Sequence, residues 1–276
     1  MTYCLGMLLR DGLVMMADTR TNAGIDDLSV YRKLRILGEE GRSLIAVASA
    51  GSLSTTQIAI ERAIEGQVAP DTRKIERLDQ APHIRRVAFL LGQAIRTTIG
   101  DWQEVTTAGV QFEASLLVGG SVGNEQLRLF MIYGAGNFIE CGPETPFLQI
   151  GERKFGKPVL DRALAYDTDL YEALKLGLLS YNSTIHSNHA VDLPVDVAIV
   201  RNGMTRPELN YRIERDDSYY RQLDTLWSEA LGAAIAAVPP PPYREAISGA
   251  SSPAHRPGPE AVGAKQRAAV PAAPGP

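Results

Sequence analysis

Three residues near the start of the chain are of types that together could break an acyl bond. Thr2 follows Met1 directly, Asp18 stands in Ala17-Asp18-Thr19-Arg20, and Lys33 lies in the run Tyr31-Arg32-Lys33-Leu34-Arg35-Ile36-Leu37. A threonine hydroxyl is a weak nucleophile until a base takes its proton, and a free α-amine on the same residue can be that base. With a reference pKa of about 8, such an amine is suited to proton transfer near neutrality. The small side chain of Thr2 favours removal of the initiator methionine, which would free the amine. A cation is then needed to favour the alkoxide, and a carboxylate to hold the cation. Lys33 and Asp18 supply those two types. Taken singly, each has a plainer reading: Asp18 as a turn former, Lys33 as part of a solvated strand face with Arg32 and Arg35, Thr2 as a tolerated second residue. The context of Thr2 argues otherwise, because strand-like sequence begins at once with Tyr3, as if the N-terminus were to be held in place.

Other reactive types read as structural. Cys4 and Cys141 are the only cysteines, and small buried thiols are a simpler reading than a disulfide or a nucleophile. His186 and His189 form an H-x-x-H pair near Asp192 and Asp196. That spacing is common by chance in a loop before a strand, so no metal and no other cofactor is expected. Gly119-Gly120-Ser121-Val122-Gly123 reads as a hairpin turn, since no phosphate-binding loop of the Walker or G-x-G-x-x-G kind is present.

The elements that must position Thr2, Asp18 and Lys33 are short strands. Tyr3–Leu9 and Leu13–Asp18 flank Arg10-Asp11-Gly12, a hairpin signal, and Leu34–Leu37 and Leu44–Ala50 flank Gly38-Glu39-Glu40-Gly41. Helical spacing follows over Ser54–Glu65 and Ile84–Ile99. Strands return at Gln111–Val118, Gln126–Tyr133 and Phe138–Cys141, then helices around Lys157–Ala165 and Asp169–Ser180. Strands at Val195–Arg201 and Glu208–Arg212 precede a long helix over Asp216–Ala237. Antiparallel hairpins alternating with helix pairs make βαβ crossovers unlike this pattern. Two stacked antiparallel sheets with a helix layer outside each would cover every apolar face, a four-layer α/β/β/α sandwich of the α+β class.

Composition bounds the rest. Of 276 residues, 45% are hydrophobic and 22% charged, enough for a sizeable core. A net charge of -4 argues against nucleic acid as the main partner. No signal-peptide pattern and no apolar run long enough for a membrane span is read, so the expected location is the cytoplasm. Residues 1–238 read as one domain. The 239–276 segment is rich in Pro, Ala, Gly and Ser, cannot offset its ordering entropy, and is expected to be disordered. The last helix carries Tyr219, Leu223, Leu226, Trp227, Leu231 and Ile235, more apolar surface than one fold face needs, which points to an interface.

The combined pattern T-x-x-x-G…G-L-V-x-x-A-D-T-R-x-x-A-G…K-x-x-I resembles the opening of proteasome β subunits and their bacterial relatives. These are N-terminal-nucleophile (Ntn) hydrolases with the four-layer fold. The resemblance covers roughly residues 2–238 and is strongest through about residue 55. It implies Thr2 as nucleophile, Asp18 and Lys33 as its acid and lysine partners, and Gly51, in Ala48-Ser49-Ala50-Gly51, as an oxyanion donor. Arg20 and Glu152 are supporting candidates. So are Asn182, Ser183 and Ser187, because the later segments depart from the pattern. Glu152, in Ile150-Gly151-Glu152-Arg153-Lys154-Phe155-Gly156, stands where the family usually has serine, and no D-x-x-S-G follows. These departures and the long last helix resemble one bacterial branch, the ancestral β-subunit proteins called Anbu. The resemblance implies a threonine peptidase or amidase acting on a peptide or protein substrate. It also implies a homo-oligomer, a ring or an open helical washer, and leaves an unfoldase partner open. A small-amide Ntn amidohydrolase and a non-catalytic scaffold or peptide-binding particle with a vestigial site stay open as alternatives.

Overall fold

The chain starts as a hairpin: β1 (Tyr3–Leu9) pairs antiparallel with β2 (Gly12–Asp18), Leu9 opposite Gly12 and Cys4 opposite Ala17. In the computed structural model residues 2–22, 28–105 and 112–243 are described. β3 (Arg20–Asn22) and β4 (Leu28–Val30) form a small ladder of their own. β5 (Leu34–Leu37) and β6 (Ser43–Gly51) are the second hairpin. α1 (Leu53–Glu65) follows immediately, with Ser52 Oγ accepting from Thr55 N–H as its N-cap. A two-residue ladder of β7 (Gln67–Val68) and β8 (Ile75–Glu76) leads into α2 (Ile84–Val105). The later elements are β9 (Ala114–Val122), β10 (Arg128–Ile132), β11 (Phe138–Glu140), β12 (Phe147–Gly151), α3 (Lys157–Ala163) and α4 (Leu170–Ser187). β13 (Val195–Arg201), β14 (Leu209–Ile213) and α5 (Ser218–Ala237) close the series.

The strands make two five-stranded antiparallel sheets, ordered β12-β1-β2-β13-β14 and β11-β10-β9-β6-β5. Because side chains alternate along a strand, β1 and β2 serve two cores at once. Cys4, Leu13, Met15 and Ala17 meet Leu44, Ala46, Ala48 and Leu117 between the sheets. Tyr3, Leu5, Val14 and Met16 face the other way, onto Leu160, Leu176, Tyr181 and Leu223 of α3, α4 and α5. On the second sheet Ile45, Val47, Leu116 and Val118 pack under Ile60, Val87, Leu91 and Ile95 of α1 and α2. The result is the α/β/β/α sandwich that the element order implies. Each fully buried Leu, Ile or Val contributes roughly 1.5–3 kcal/mol relative to an exposed one. The site is thus held by three packed interfaces rather than by its own few polar bonds.

Several elements differ from what the sequence pattern implies. β12 has no counterpart in that pattern, yet it pairs along β1 from Met7↔Phe147 to Tyr3↔Gly151. Gly119 to Val122 belong to β9 rather than to a turn. α2 runs on past Ile99, and α4 continues past Ser180 through a stretch of Asn, Ser, Thr and His. The Gln111 start expected for the third strand pair lies outside the described residues, and β9 begins at Ala114.

By contact the chain divides into two units, Met1–Ala230 and Leu231–Pro276. In the first, Tyr220 and Leu223 of α5 are buried while Tyr219 and Leu226 are exposed. In the second, Leu231, Ile235, Val238 and Tyr243 are all exposed. The 244–276 part of the tail lies outside the described residues.

Candidate active site

Thr2 sits one residue before β1 and is tied down by its main chain. Glu152 N–H, one residue beyond β12, donates to Thr2 O at 2.7 Å. Gly151 allows this approach: its φ is +79°, and a Cβ there would lie 1.9 Å from Thr2 O. On the next residue, Tyr3 N–H donates to Asp18 Oδ1 at 2.9 Å. The two neighbours of β1 therefore fix the N-terminus from both sides.

Asp18 is the last residue of β2, and Lys33 directly precedes β5. Lys33 Nζ lies 2.8 Å from Thr2 Oγ1, 3.0 and 2.9 Å from Asp18 Oδ1 and Oδ2, and 2.6 Å from Arg20 O. An ammonium has three N–H donors, and here they meet three partners, with Asp18 engaged by both oxygens. The lysine and aspartate side chains are 5% and 0% exposed. Burial pushes the Asp18 carboxyl above the usual carboxylate range; the charge and hydrogen bonds of Lys33 and the Tyr3 N–H oppose that shift without cancelling it. The buried ammonium bridges hydroxyl and carboxylate, an arrangement that can favour an alkoxide on Thr2.

Thr2 and Lys33 open onto a cleft of about 340 Å³ that Gly51 also lines. Gly51 ends β6 with φ +103°, and a Cβ there would come within 2.2 Å of Glu113 O, so only glycine fits this corner between strand and α1. The cleft walls also include Thr21, Ser49 and Leu53, which the sequence did not single out. Thr21 Oγ1 is buried with no hydrogen-bond partner among the described residues.

The supporting candidates separate into two groups. Arg20 and Glu152 adjoin the cluster. Arg20 supplies the carbonyl to Lys33, while its guanidinium reaches Asp192 at 2.7 Å. The Glu152 carboxylate accepts from Lys154 N–H at 2.9 Å and from Asn188 Nδ2 at 2.8 Å. Burial works to raise its pKa, but those donors outweigh burial and hold it below the usual glutamate range. Asn182, Ser183 and Ser187 are not brought to Thr2. All three lie on α4: Asn182 donates to Asp224, Ser183 to Leu179 O in the preceding turn, and Ser187 is exposed at the helix end. Two other α4 hydroxyls reach β1: Ser180 Oγ lies 2.7 Å from Tyr3 Oη, and Tyr181 Oη donates to Tyr3 O at 2.6 Å.

The remaining reactive groups are placed as follows. Cys4 is buried behind the site with its thiol pKa pushed up by burial, and Cys141 is pushed up to about 12 by the same cause. His186 pairs with Asp224 across α4 and α5 at 2.8 Å. Among the described residues no cluster of His, Cys, Asp and Glu could hold a metal ion. Nor is any described helix long and apolar enough to cross a membrane.

Scans against protein-family models and against curated proteins found no match. Solved structures do match. Anbu (ancestral β-subunit) from Yersinia bercovieri is 38% identical, covering 87% of this chain and 98% of that one, at a TM-score of 0.78. A structure described as the helical assembly of the Anbu complex from Pseudomonas aeruginosa is 37% identical over 87% and 98%, at 0.79. A Gly-1 mutant of Anbu from Hyphomicrobium sp. strain MC1 is 37% identical over 87% and 99%, at 0.78. Paired antiparallel sheets between helix layers, shared with these neighbours, define a protein of the proteasome-like Ntn fold. Within that class, the chain belongs to the Anbu, or ancestral β-subunit, family.

Proposed function

We propose that this chain is a threonine-type N-terminal-nucleophile hydrolase that cleaves peptide or amide bonds once Met1 has been removed. The observation that carries the reading is the position of Lys33 Nζ, 2.8 Å from Thr2 Oγ1 and bonded to both oxygens of Asp18. The freed α-amine of Thr2 takes the hydroxyl proton, and Oγ1 attacks the substrate carbonyl carbon. The carbonyl π electrons move to oxygen, and the Gly51 N–H donates to that oxyanion. An oxyanion contact of this kind is typically worth about 3 kcal/mol. The C–N bond then breaks, and the leaving amine takes the proton held by the Thr2 ammonium. Water, deprotonated by the same amine, hydrolyses the ester and restores Thr2. Lys33 lowers the energy of the alkoxide by its charge, and Asp18 holds Lys33 in place. Arg20 and Glu152 act by position, Asn182, Ser183 and Ser187 carry no step, and no cofactor takes part.

In this reading the protein works in the cytoplasm as a homo-oligomer, a ring or an open helical washer. The helical assembly described for the Pseudomonas relative supports that state, as do the exposed Tyr219 and Leu226 on α5. Intact-mass analysis of the full chain, before and after a threonine-directed β-lactone, tests the proposal. It predicts a mass lacking Met1 and a single acyl adduct that maps to Thr2. Retained Met1, or an adduct on another residue, would remove the mechanism.

A further inference from the structure

We infer that Asp192 is a positioning residue for Lys33, acting through Arg20. Its catalytic consequence rests on the hydrolase reading above, while its geometric consequence does not. The contact of 2.6 Å to Arg20 O is the shortest that Lys33 Nζ makes. Arg20 opens β3, one residue after Thr19 leaves β2, so the direction of its carbonyl depends on where that turn is held. The segment Asp192 to Pro194 holds it at three points. Thr19 N–H and Thr19 Oγ1 both donate to Pro194 O, at 3.0 and 2.8 Å. Arg20 Nη1 donates to Asp192 Oδ2 at 2.7 Å. The carboxylate is itself fixed, because Leu193 N–H donates to Asp192 Oδ1 at 2.8 Å.

The same segment runs into β13, whose Val195 is the register partner of Asp18. One stretch of chain therefore braces two of the three partners of the ammonium: Asp18 through the sheet and Arg20 O through Asp192. The Arg20–Asp192 pair is largely withdrawn from water, with side chains 22% and 16% exposed, so it is better placed to fix geometry than a surface pair. A second guanidinium, Arg215, bonds the same oxygen from outside at 2.6 Å and is 63% exposed. The nearby Asp196 cannot substitute, because both of its oxygens are engaged by Arg212.

The test uses the full-length protein and the variants D192N, D192E, R20M, R215M and D192N/R20M. Three quantities are read: the limiting rate of Thr2 acylation at saturating β-lactone, the acetylation of Lys33 by acetic anhydride, and the melting temperature. D192N should lower the limiting rate about tenfold, with the half-saturating lactone concentration within about twofold of wild type. Lys33 acetylation should rise at least about threefold as Arg20 O lets go, and D192E should recover part of both changes. R215M should leave both readouts within about twofold, and D192N/R20M should be no worse than R20M alone, as residues acting in series require. Wild-type rates and wild-type Lys33 acetylation in D192N would overturn the inference, as would multiplying effects in the double variant. Should the wild type not acylate at Thr2, the hydrolase reading falls and Lys33 acetylation alone decides: raised in D192N it supports Asp192, unchanged it overturns it. Should D192N fail to fold, R20M replaces it in the acetylation test: raised acetylation of Lys33 supports the inference, and wild-type acetylation overturns it.

Discussion

Lys33 with Asp18, and Arg86 with Asp71 and Glu76, are two ion clusters built from similar bonds. Arg86 reaches Asp71 at 2.6 and 2.9 Å and Glu76 at 2.7 Å through two nitrogens. Lys33 reaches Asp18 at 3.0 and 2.9 Å. Pairing alone would lower the pKa of both aspartates. The hydrogen bonds of Arg86 do bring Asp71, which is 51% exposed, down to about 2. Burial instead leaves Asp18 above its ordinary value although a cation touches both its oxygens. Desolvation outweighs pairing where the carboxyl is fully enclosed, as at Asp18, and pairing wins where the carboxylate itself is half exposed, as at Asp71. The Arg86 cluster ties β8 to α2, whereas the Lys33 cluster sets its Nζ beside the Thr2 hydroxyl.

The comparison is broken most strongly by removing the buried cation. Lys33→Met leaves the Asp18 carboxylate buried without its partner, and chemical unfolding at pH 7 should show a loss of about 3–5 kcal/mol. The sign with pH follows from the direction of the shift. With burial unopposed by Lys33, the folded pKa of Asp18 lies still further above its unfolded value. Its contribution is then most favourable below the unfolded pKa, near 4, and is lost as pH rises through the folded pKa. The deficit of Lys33→Met should therefore shrink as pH falls from 8 toward 4. The double variant Lys33→Met/Asp18→Asn should recover most of the stability at pH 7.

Much of the buried cluster was legible in the sequence, because its three residues lie on two local hairpins whose turns and alternation announce themselves. The hairpins place Thr2, Asp18 and Lys33 near one another, and the resemblance in their combined pattern groups them as one site. The far side of the site was not legible. β12 is five residues long, sits between Pro146 and Glu152, and pairs with β1 across some 140 residues, a partnership no local pattern encodes. Without that strand, nothing in the sequence shows how Glu152 meets Thr2. The end of α4 departs from the expected helix end at Ser180 for a related reason: its Asn, Ser and Thr types favour loops, yet Tyr181, Asn182 and Thr184 are buried on the continuing helix. Asp192 gave no signal beyond its nearness to two histidines, since its partner Arg20 is distant in sequence.

A smaller effect is expected where the backbone rather than charge sets the site. Gly51→Ala puts a Cβ against Glu113 O at a φ of +103°. Strain of about 1–3 kcal/mol should appear as a lower melting temperature, together with slower acylation of Thr2. The smallest effect belongs to the half-exposed carboxylate of the Arg86 cluster, Asp71. Asp71→Asn should lower the melting temperature less than Gly51→Ala does and leave acylation unchanged. The folded pKa of Asp71 is depressed, so its contribution is present above the unfolded value near 4 and is lost as pH falls toward 2. The difference between Asp71→Asn and wild type should vanish over that same window, opposite in sense to the behaviour at Asp18.

The claim on which the rest depends is that the Lys33 ammonium makes Thr2 the nucleophile. Acid-quenched peptide mapping of wild type and Lys33→Met, each after brief exposure to the same β-lactone and each verified as folded, tests it directly. An acyl ester on Thr2 in the wild type with little or none in Lys33→Met is the predicted result. Equal esters on Thr2 in both proteins, or an ester on any other residue, would contradict it.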